Sequence, residues 1–499
     1  MSKGKVILIK NAMLMTVTSL ALRLVGMVFR VWLASAVGAE GMGLYQQIFS
    51  VYAFISVFAS SGIGLVVTRL VSEEITLGCR RGVDMIIARS VFLTLFVAIL
   101  SGGAVLGFAE QISVYIISDS RATLSLQIMT ASLPFMGVSA VLKGYFFARK
   151  KAFPNSTSQI LEQAVRIVLI VSLIGSKEAS VEDGCATVLF ADAVAEASSF
   201  IYLLIYYAVD RRKLKKTGGR HRPPFKIFRE VLRISSPIAG GKYLNSFLRT
   251  IENMIVPTGL VAYGLSRADA LSEFGMIKGM ALPLLLFPAG LLSSITTLLV
   301  PEIAEANAFG KKERVKSTAE RSLALTFIFS IPFAVGFFFT AEMLSTLIYK
   351  EAGVGRMVRL LAPLVPLMYV DSVSDALLKS LDCQMDTFRH AILDSIGRII
   401  LILVSLSRFG MNGFIAIMYI SNIFTSILNL VQLLQVSGAK IRLYQYILIP
   451  LVKTLTVALL GNFIAGLLNL NSVVYIMFIF VIILIFYLPY LLRTLKTLL

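Results

Sequence analysis

Apolar residues run along this chain in fourteen stretches, each of roughly the 20 residues that a helix needs to cross a bilayer. They fall near 8–36, 43–67, 83–107, 122–147, 158–175, 185–209, 232–261, 273–299, 318–340, 357–380, 388–407, 411–436, 444–468 and 472–492. The pattern predicts an all-α polytopic membrane protein with about fourteen transmembrane helices. The polar breaks between them alternate in charge. One set gathers Lys3, Lys5, Lys10, Arg80, Arg81, Arg149, Lys150, Lys151, the run at 211–233, Lys311, Lys312, Arg314, Lys316, Lys440, Arg442, Arg493 and Lys496. The other holds little beyond Arg121, Lys177, Arg267, Lys350, Arg356 and Arg408. Basic loops stay in the cytoplasm, so the first set is expected there, together with both termini of a cytoplasmic-membrane protein.

Composition changes this picture little. The chain is 57% hydrophobic with a mean hydropathy of +0.83. Its net charge of +19 is topology, with an added attraction to anionic lipid headgroups; the phospholipid bilayer is the expected partner and nucleic acid is not. Cys79, Cys185 and Cys383 are too few and too scattered for a disulfide framework or a zinc site. The first apolar run continues for a full span, so it is expected to be kept rather than cleaved as a signal.

The longest polar stretch, 210–233, carries Gly-Gly, Pro-Pro and dense charge and reads as a basic cytoplasmic linker. It separates an N-lobe (1–209, spans 1–6) from a C-lobe (234–436, spans 7–12), with 437–499 forming spans 13 and 14. An ungapped shift of 232 explains the division. Ser61, Ile63, Glu73, Gly78, Val83, Arg89, Ser90, Leu93 and Thr94 then meet identical residues at Ser293, Ile295, Glu305, Gly310, Val315, Arg321, Ser322, Leu325 and Thr326. Six spans separate the copies, which implies a parallel repeat of two six-helix lobes. Spans 13 and 14 hold a single charge, Lys453, and suit lipid or a lipidic ligand.

Charged side chains are costly at the bilayer midplane, by about 3 kcal/mol on the most lenient scale, and so mark cavities. Span 1 carries Arg23 and Arg30, seven residues apart and on one helical face. Span 7 carries Lys242 and Arg249 at the same spacing, with Glu252 placed to pair with Arg249. Lys278 lies early in span 8. These cations suit an anionic cargo such as a pyrophosphate; the alternative for Arg30 and Lys278 is that they snorkel to the outer interface. Glu252 is then a counter-ion or a coupling carboxylate. In span 5, Glu162 and Arg166 can satisfy each other. In span 6, Asp192 and Glu196 have no matched cation, so one either faces Arg166 or keeps its proton. Asp371, Asp375 and Lys379 form an i,i+4 ladder in span 10, a further coupling candidate.

Prolines punctuate the helices, most sharply in Pro283-Leu-Leu-Leu-Phe-Pro288-Ala-Gly290, which suggests a hinge. No phosphate-binding loop, metal cluster or hydrolase constellation is present, and the two histidines, His221 and His390, lie in cytoplasmic regions. Neither enzyme activity nor a cofactor is expected.

The residues Phe287-Pro288-Ala289-Gly290-Leu291-Leu292, Leu299-Val300-Pro301-Glu302-Ile303, Arg249-Thr250-Ile251-Glu252-Asn253 and Met280-Ala281-Leu282-Pro283 resemble the stage V sporulation protein B family. That family belongs to the multidrug/oligosaccharidyl-lipid/polysaccharide exporter superfamily, with the lipid II and O-antigen flippases. The resemblance implies a fourteen-helix alternating-access fold in a bacterial cytoplasmic membrane. It also implies an undecaprenyl-pyrophosphate-linked saccharide as cargo, a role in spore cortex peptidoglycan synthesis, and cell-wall synthesis machinery among the partners. Arg23-Leu24-Val25-Gly26 fits the R-x-x-G motif of lipid II flippases, and Arg30 falls one position late for their second arginine. Their span 2 arginine has no counterpart, and Lys278 stands a turn or more from where their span 8 arginine would be. Spans 13 and 14 would form a groove for the polyprenyl tail. A cation-coupled multidrug exporter of the same superfamily is the alternative.

Overall fold

The computed structural model describes residues 3–60, 62–78, 80–174, 180–213, 224–468 and 470–498, and these are helical almost throughout. Of the linker expected at 210–233, residues 214–223 lie outside them, whereas 224–233 already belong to the helix that continues through Tyr263. Ten helical runs among the described residues are long and apolar enough to cross a membrane. Two of them, Met13–Thr76 and Gln384–Ser437, each contain two of the predicted stretches joined across a glycine. Gly38 (φ 75°, ψ 176°) and Gly410 (φ 55°, ψ −142°) make those kinks in conformations that side chains with a Cβ rarely adopt.

Two further stretches fall short for different reasons. The helix around 232–261 carries Arg233, Lys242, Arg249 and Glu252 and is too polar to stand among these apolar runs. The stretch at 273–299 is not one helix: a short helix, Arg267–Gly275, passes into a π-helical turn, Met276–Ala281, and Leu282–Leu286, then turns at Phe287–Pro288 before Ala289–Ala308. Proline removes a ladder donor, and three-residue bonds replace the regular ones there: Phe287 N–H to Leu284 O, 3.3 Å, and Gly290 N–H to Phe287 O, 3.0 Å.

The chain forms two compact units. Unit 1 comprises residues 1–29 and 44–254, and unit 2 comprises 30–43 and 255–499. Unit 1 contains most of α1 (Lys3–Ser60), then α2 (Ile63–Thr76), α3 (Arg80–Gly107), α4 (Ala109–Gln111), α5 (Ala122–Thr130), α6 (Leu133–Ala148), α7 (Phe153–Ile174), α8 (Val181–Arg211) and most of α9 (Pro224–Tyr263). Its core packs Val66, Val67, Leu70 and Val71 of α2 against Ile86, Val141, Leu142 and Tyr145. Small residues allow this approach. A Cβ on Gly144 would stand 2.5 Å from Gly64 O, and the Thr68 hydroxyl donates to Gly144 O at 3.0 Å. Gly144→Val is therefore expected to cost about 1–3 kcal/mol by overpacking. The check is the unfolding midpoint of purified protein; an unchanged midpoint contradicts the crossing.

Unit 2 contains α10 (Arg267–Gly275), α11 (Leu282–Leu286), α12 (Ala289–Ala308), α13 (Lys312–Tyr349), α14 (Ala352–Leu361), α15 (Val365–Ser380), α16 (Gln384–Ser437), α17 (Ile449–Leu467) and α18 (Ser472–Leu498). Its core joins Ile303, Val315, Leu323 and Phe327 to Val370, Val373 and Leu377. Val335 with Ala458, Ile479 and Ile483 ties α17 and α18 to α13.

The backbone carries the repeat much further than the matching letters do. Gly78 (φ 69°) and Gly310 (φ 64°), Ser118 (φ 60°) and Lys350 (φ 57°), and Lys150 (φ 56°) and Asp382 (φ 63°) are left-handed in pairs, each 232 residues apart. Helices α3 and α13 begin at Arg80 and Lys312, and α6 and α15 at Leu133 and Val365, in the same register. The turns close alike: Leu77 N–H bonds Glu73 O at 3.1 Å, and Phe309 N–H bonds Glu305 O at 3.1 Å. Thr94 donates to Ser90 O at 2.8 Å, and Thr326 to Ser322 O at 2.7 Å. Val83 and Val315 occupy the cores of their respective units.

Candidate functional site

The middle of unit 1 holds a network of ionisable side chains, with Asp192 and Glu196 buried and Lys143, Glu162 and Arg166 half-buried. Arg166 on α7 donates to Glu162 Oε1 at 3.1 Å and to Gln163 Oε1 at 3.0 Å, and its Nε pairs with Asp192 on α8. Lys143 of α6 stands 3.9 Å from the other Glu162 oxygen. Of the two readings for the Asp192 and Glu196 pair, Asp192 takes Arg166. Glu196, one turn along α8, has a buried Oε2 that receives no hydrogen bond. The network borders α1, where a Cβ on Gly26 would lie 3.9 Å from Gln163 Nε2. Arg23, three residues earlier, shares that face of the helix.

On α9 the packed face is Tyr243, Phe247, Thr250 and Asn253. Tyr243 stacks on Phe58 at 4.4 Å and Phe247 lies 5.6 Å from Phe54. Thr250 donates to Ser50 O at 3.0 Å and Asn253 to Ser50 Oγ at 2.7 Å. Lys242 and Arg249 each precede one of these positions, about 100° around the helix, and both are exposed. Glu252 is buried at 3% exposure, so it and Arg249 leave the helix into different surroundings. Arg23 is exposed as well. In unit 1, then, Arg23, Lys242 and Arg249 are accessible, whereas Asp192 (7%), Glu196 (8%) and Glu252 are not.

Unit 2 receives Arg30, exposed, and Lys278, half-buried with its Nζ 5.9 Å over the Phe414 ring. Arg23 and Arg30 are thus divided between the units. Pro283 begins the short α11, while Pro288 and Gly290 stand at the helix break. Beside it a cavity of about 140 Å³ is lined by Ala289, Ser293, Thr296, Tyr369 and Ala376 among others. The acidic ladder of α15 is split. Asp375 pairs with Lys379 at 2.6 Å, but Asp371 accepts from Asn429 Nδ2 at 2.8 Å, and Asn429 Oδ1 meets His390 Nδ1 at 2.8 Å. Asp394 accepts from Ser421 at 2.6 Å and pairs with Arg398 at 3.0 Å. Sequence reasoning missed Asn429, Asp394 and Lys143; their only signal was a polar letter in an apolar run, and their partners come from other helices.

The family model for polysaccharide biosynthesis protein matches residues 8–307, more than half of the chain. The chain belongs to that family. Stage V sporulation protein B of Bacillus subtilis (strain 168) is 24% identical over 403 residues, covering 80% of this chain and 78% of that protein. Lipid II flippase MurJ of the same organism is 20% identical over 355 residues, covering 66% and 63%. Among solved structures, a lipid II flippase MurJ in an inward closed conformation superposes with a TM-score of 0.72 at 15% identity, covering 97% of this chain and 99% of that one. An inward-facing multidrug resistance MATE family transporter of the MOP superfamily gives 0.69 at 14%, covering 85% and 98%. This family member therefore has the fold common to those transporters.

Proposed function

We propose that this membrane protein is a flippase. It moves a polyprenyl-pyrophosphate-linked saccharide, of the undecaprenyl class, from the inner to the outer leaflet of the cytoplasmic membrane by alternating access. The observation that carries the reading is that Arg23, Lys242 and Arg249 of unit 1 are exposed, while Asp192, Glu196 and Glu252 are buried. Guanidinium and ammonium groups exposed within a membrane helix need an anionic or aqueous neighbour, and a pyrophosphate supplies one. The names of the relatives agree with such a cargo, and a place in spore cortex synthesis follows the stage V sporulation relative. In this reading the chain crosses the membrane fourteen times in two six-helix lobes and a terminal pair, with both termini cytoplasmic. The protein transports rather than catalyses.

A multidrug exporter of the same fold would offer cationic drugs an accessible acid, and Asp192, Glu196 and Glu252 are all buried. The test is reconstitution in liposomes containing a fluorescent undecaprenyl-pyrophosphate saccharide, followed by its appearance in the opposite leaflet. Protein-dependent movement is expected. No movement, with resistance to cationic drugs on overexpression, would favour the exporter.

A further inference from the structure

The network in the middle of unit 1 does not balance. It holds three carboxylates, Glu162, Asp192 and Glu196, against two cations, Lys143 and Arg166. Arg166 is shared by Glu162 and Asp192, and Lys143 leans on Glu162. Glu196 is the odd acid: 8% exposed, with Oε2 buried and receiving no hydrogen bond. It is also the midpoint of α8, fifteen residues from Val181 and fifteen from Arg211. Roughly 22 Å of helix therefore lies on either side, which sets the carboxyl deep in the hydrocarbon zone. A lone carboxylate buried there is strongly disfavoured; it must find a cation or hold a proton.

The surroundings decide which. The charged groups nearest Glu196 are Glu162 and Arg166 on α7, Lys143 on α6 and Asp192 on its own helix. Helix α5, also packed on α8, brings no charge, and α1 brings the Tyr52 hydroxyl, which accepts from Ser132 at 2.9 Å, and Arg23 on the face that meets Gln163 of α7 rather than α8. Both cations are already committed. A metal ion needs several converging oxygens, and among the described residues no group of three His, Cys, Asp or Glu side chains could hold one. A proton needs a single oxygen.

We propose that the centre of unit 1 is a proton-binding site, with Glu196 Oε2 as the atom that carries the proton. Binding forms one O–H bond with a proton from water, and release breaks it, so the network alternates between neutral and singly negative. The inference rests on the flippase reading only for its use: a lobe that takes up and gives back one proton can couple cargo movement to the proton gradient.

The experiment is infrared spectroscopy of the full-length protein in lipid nanodiscs at neutral pH, without cargo. A deuterium-sensitive C=O stretch of a protonated carboxylic acid is expected. It should disappear in Glu196→Gln and persist in Glu162→Gln. If Glu196→Gln fails to insert, Glu196→Asp keeps an acid at the site and should move the band. A spectrum lacking that band in the native protein, or a band that no Glu196 substitution alters, overturns the proposal. Because no cargo is present, failure of the flippase reading leaves the spectrum untouched.

Discussion

Alanine at Arg249 is expected to slow flipping of the pyrophosphate-linked saccharide by about 10- to 100-fold, with normal membrane insertion. The magnitude follows from the loss of one charge-assisted contact, about 1.5–3 kcal/mol, at 1.4 kcal/mol per tenfold. Insertion should be unaffected because the Arg249 side chain is exposed, while α9 is held by Tyr243, Phe247, Thr250 and Asn253 on another face. Arg249→Lys should lie between the two, since lysine keeps the charge but lacks the fork that grips two phosphate oxygens. Arg23→Ala should resemble Arg249→Ala, because Arg23 is likewise exposed on unit 1. Glu252→Gln, at a buried site on the same helix, should instead affect yield and unfolding midpoint more than rate. The assay is leaflet transfer in proteoliposomes, normalised to inserted protein. Native rates in both arginine variants would remove these residues from the cargo path.

Much of this architecture was legible before any coordinate, and the exceptions share a cause. Apolar periodicity located the helices, and the shift of 232 picked out 61–94 as a repeat. It stopped there because the remaining repeated geometry is held by unlike letters. Ser118 and Lys350, or Lys150 and Asp382, adopt the same left-handed turn without a glycine to announce it. Such a conformation costs a non-glycine residue about 1–2 kcal/mol, offset by closing the helix end, so it is a property of the turn rather than of the residue.

Charge was legible as an inventory, not as a wiring plan. Local spacing allowed Glu162 and Arg166 to satisfy each other, as they do at 3.1 Å, since an i,i+4 contact needs only one helix; it read Asp375 and Lys379 as part of a ladder, where they form a pair. It could not show that Glu252 is buried while Arg249 is exposed, nor that Asp371 accepts from Asn429, 58 residues away on another helix. Helix breaks were more legible: Pro288 signalled the turn at 287–288, and the kinks at Gly38 and Gly410 fall in the gaps between predicted stretches, at 36–43 and 407–411.

The sharpest stability test is Arg166→Met, expected to cost about 3–5 kcal/mol, the usual penalty for removing one partner of a buried ion pair. The cost arises from what is left behind: Asp192 loses its cation, and Glu162 keeps only Lys143 at 3.9 Å. Adding Asp192→Asn should recover part of the loss by removing the stranded charge, whereas additive destabilisation would mean that the two do not interact. A useful contrast stands at the end of α8. Asp210 accepts from Tyr145 at 3.0 Å, Arg149 at 3.1 Å and Lys151 at 2.5 Å. Asp210→Asn should be milder, because Arg149 and Lys151 retain 20% and 35% side-chain exposure and can recover water. The unfolding midpoints of the three variants in one detergent provide the comparison. If Arg166→Met melts with the native protein while Asp210→Asn does not, the mid-lobe network is hydrated rather than buried, and the sorting of charge in unit 1 loses its physical basis.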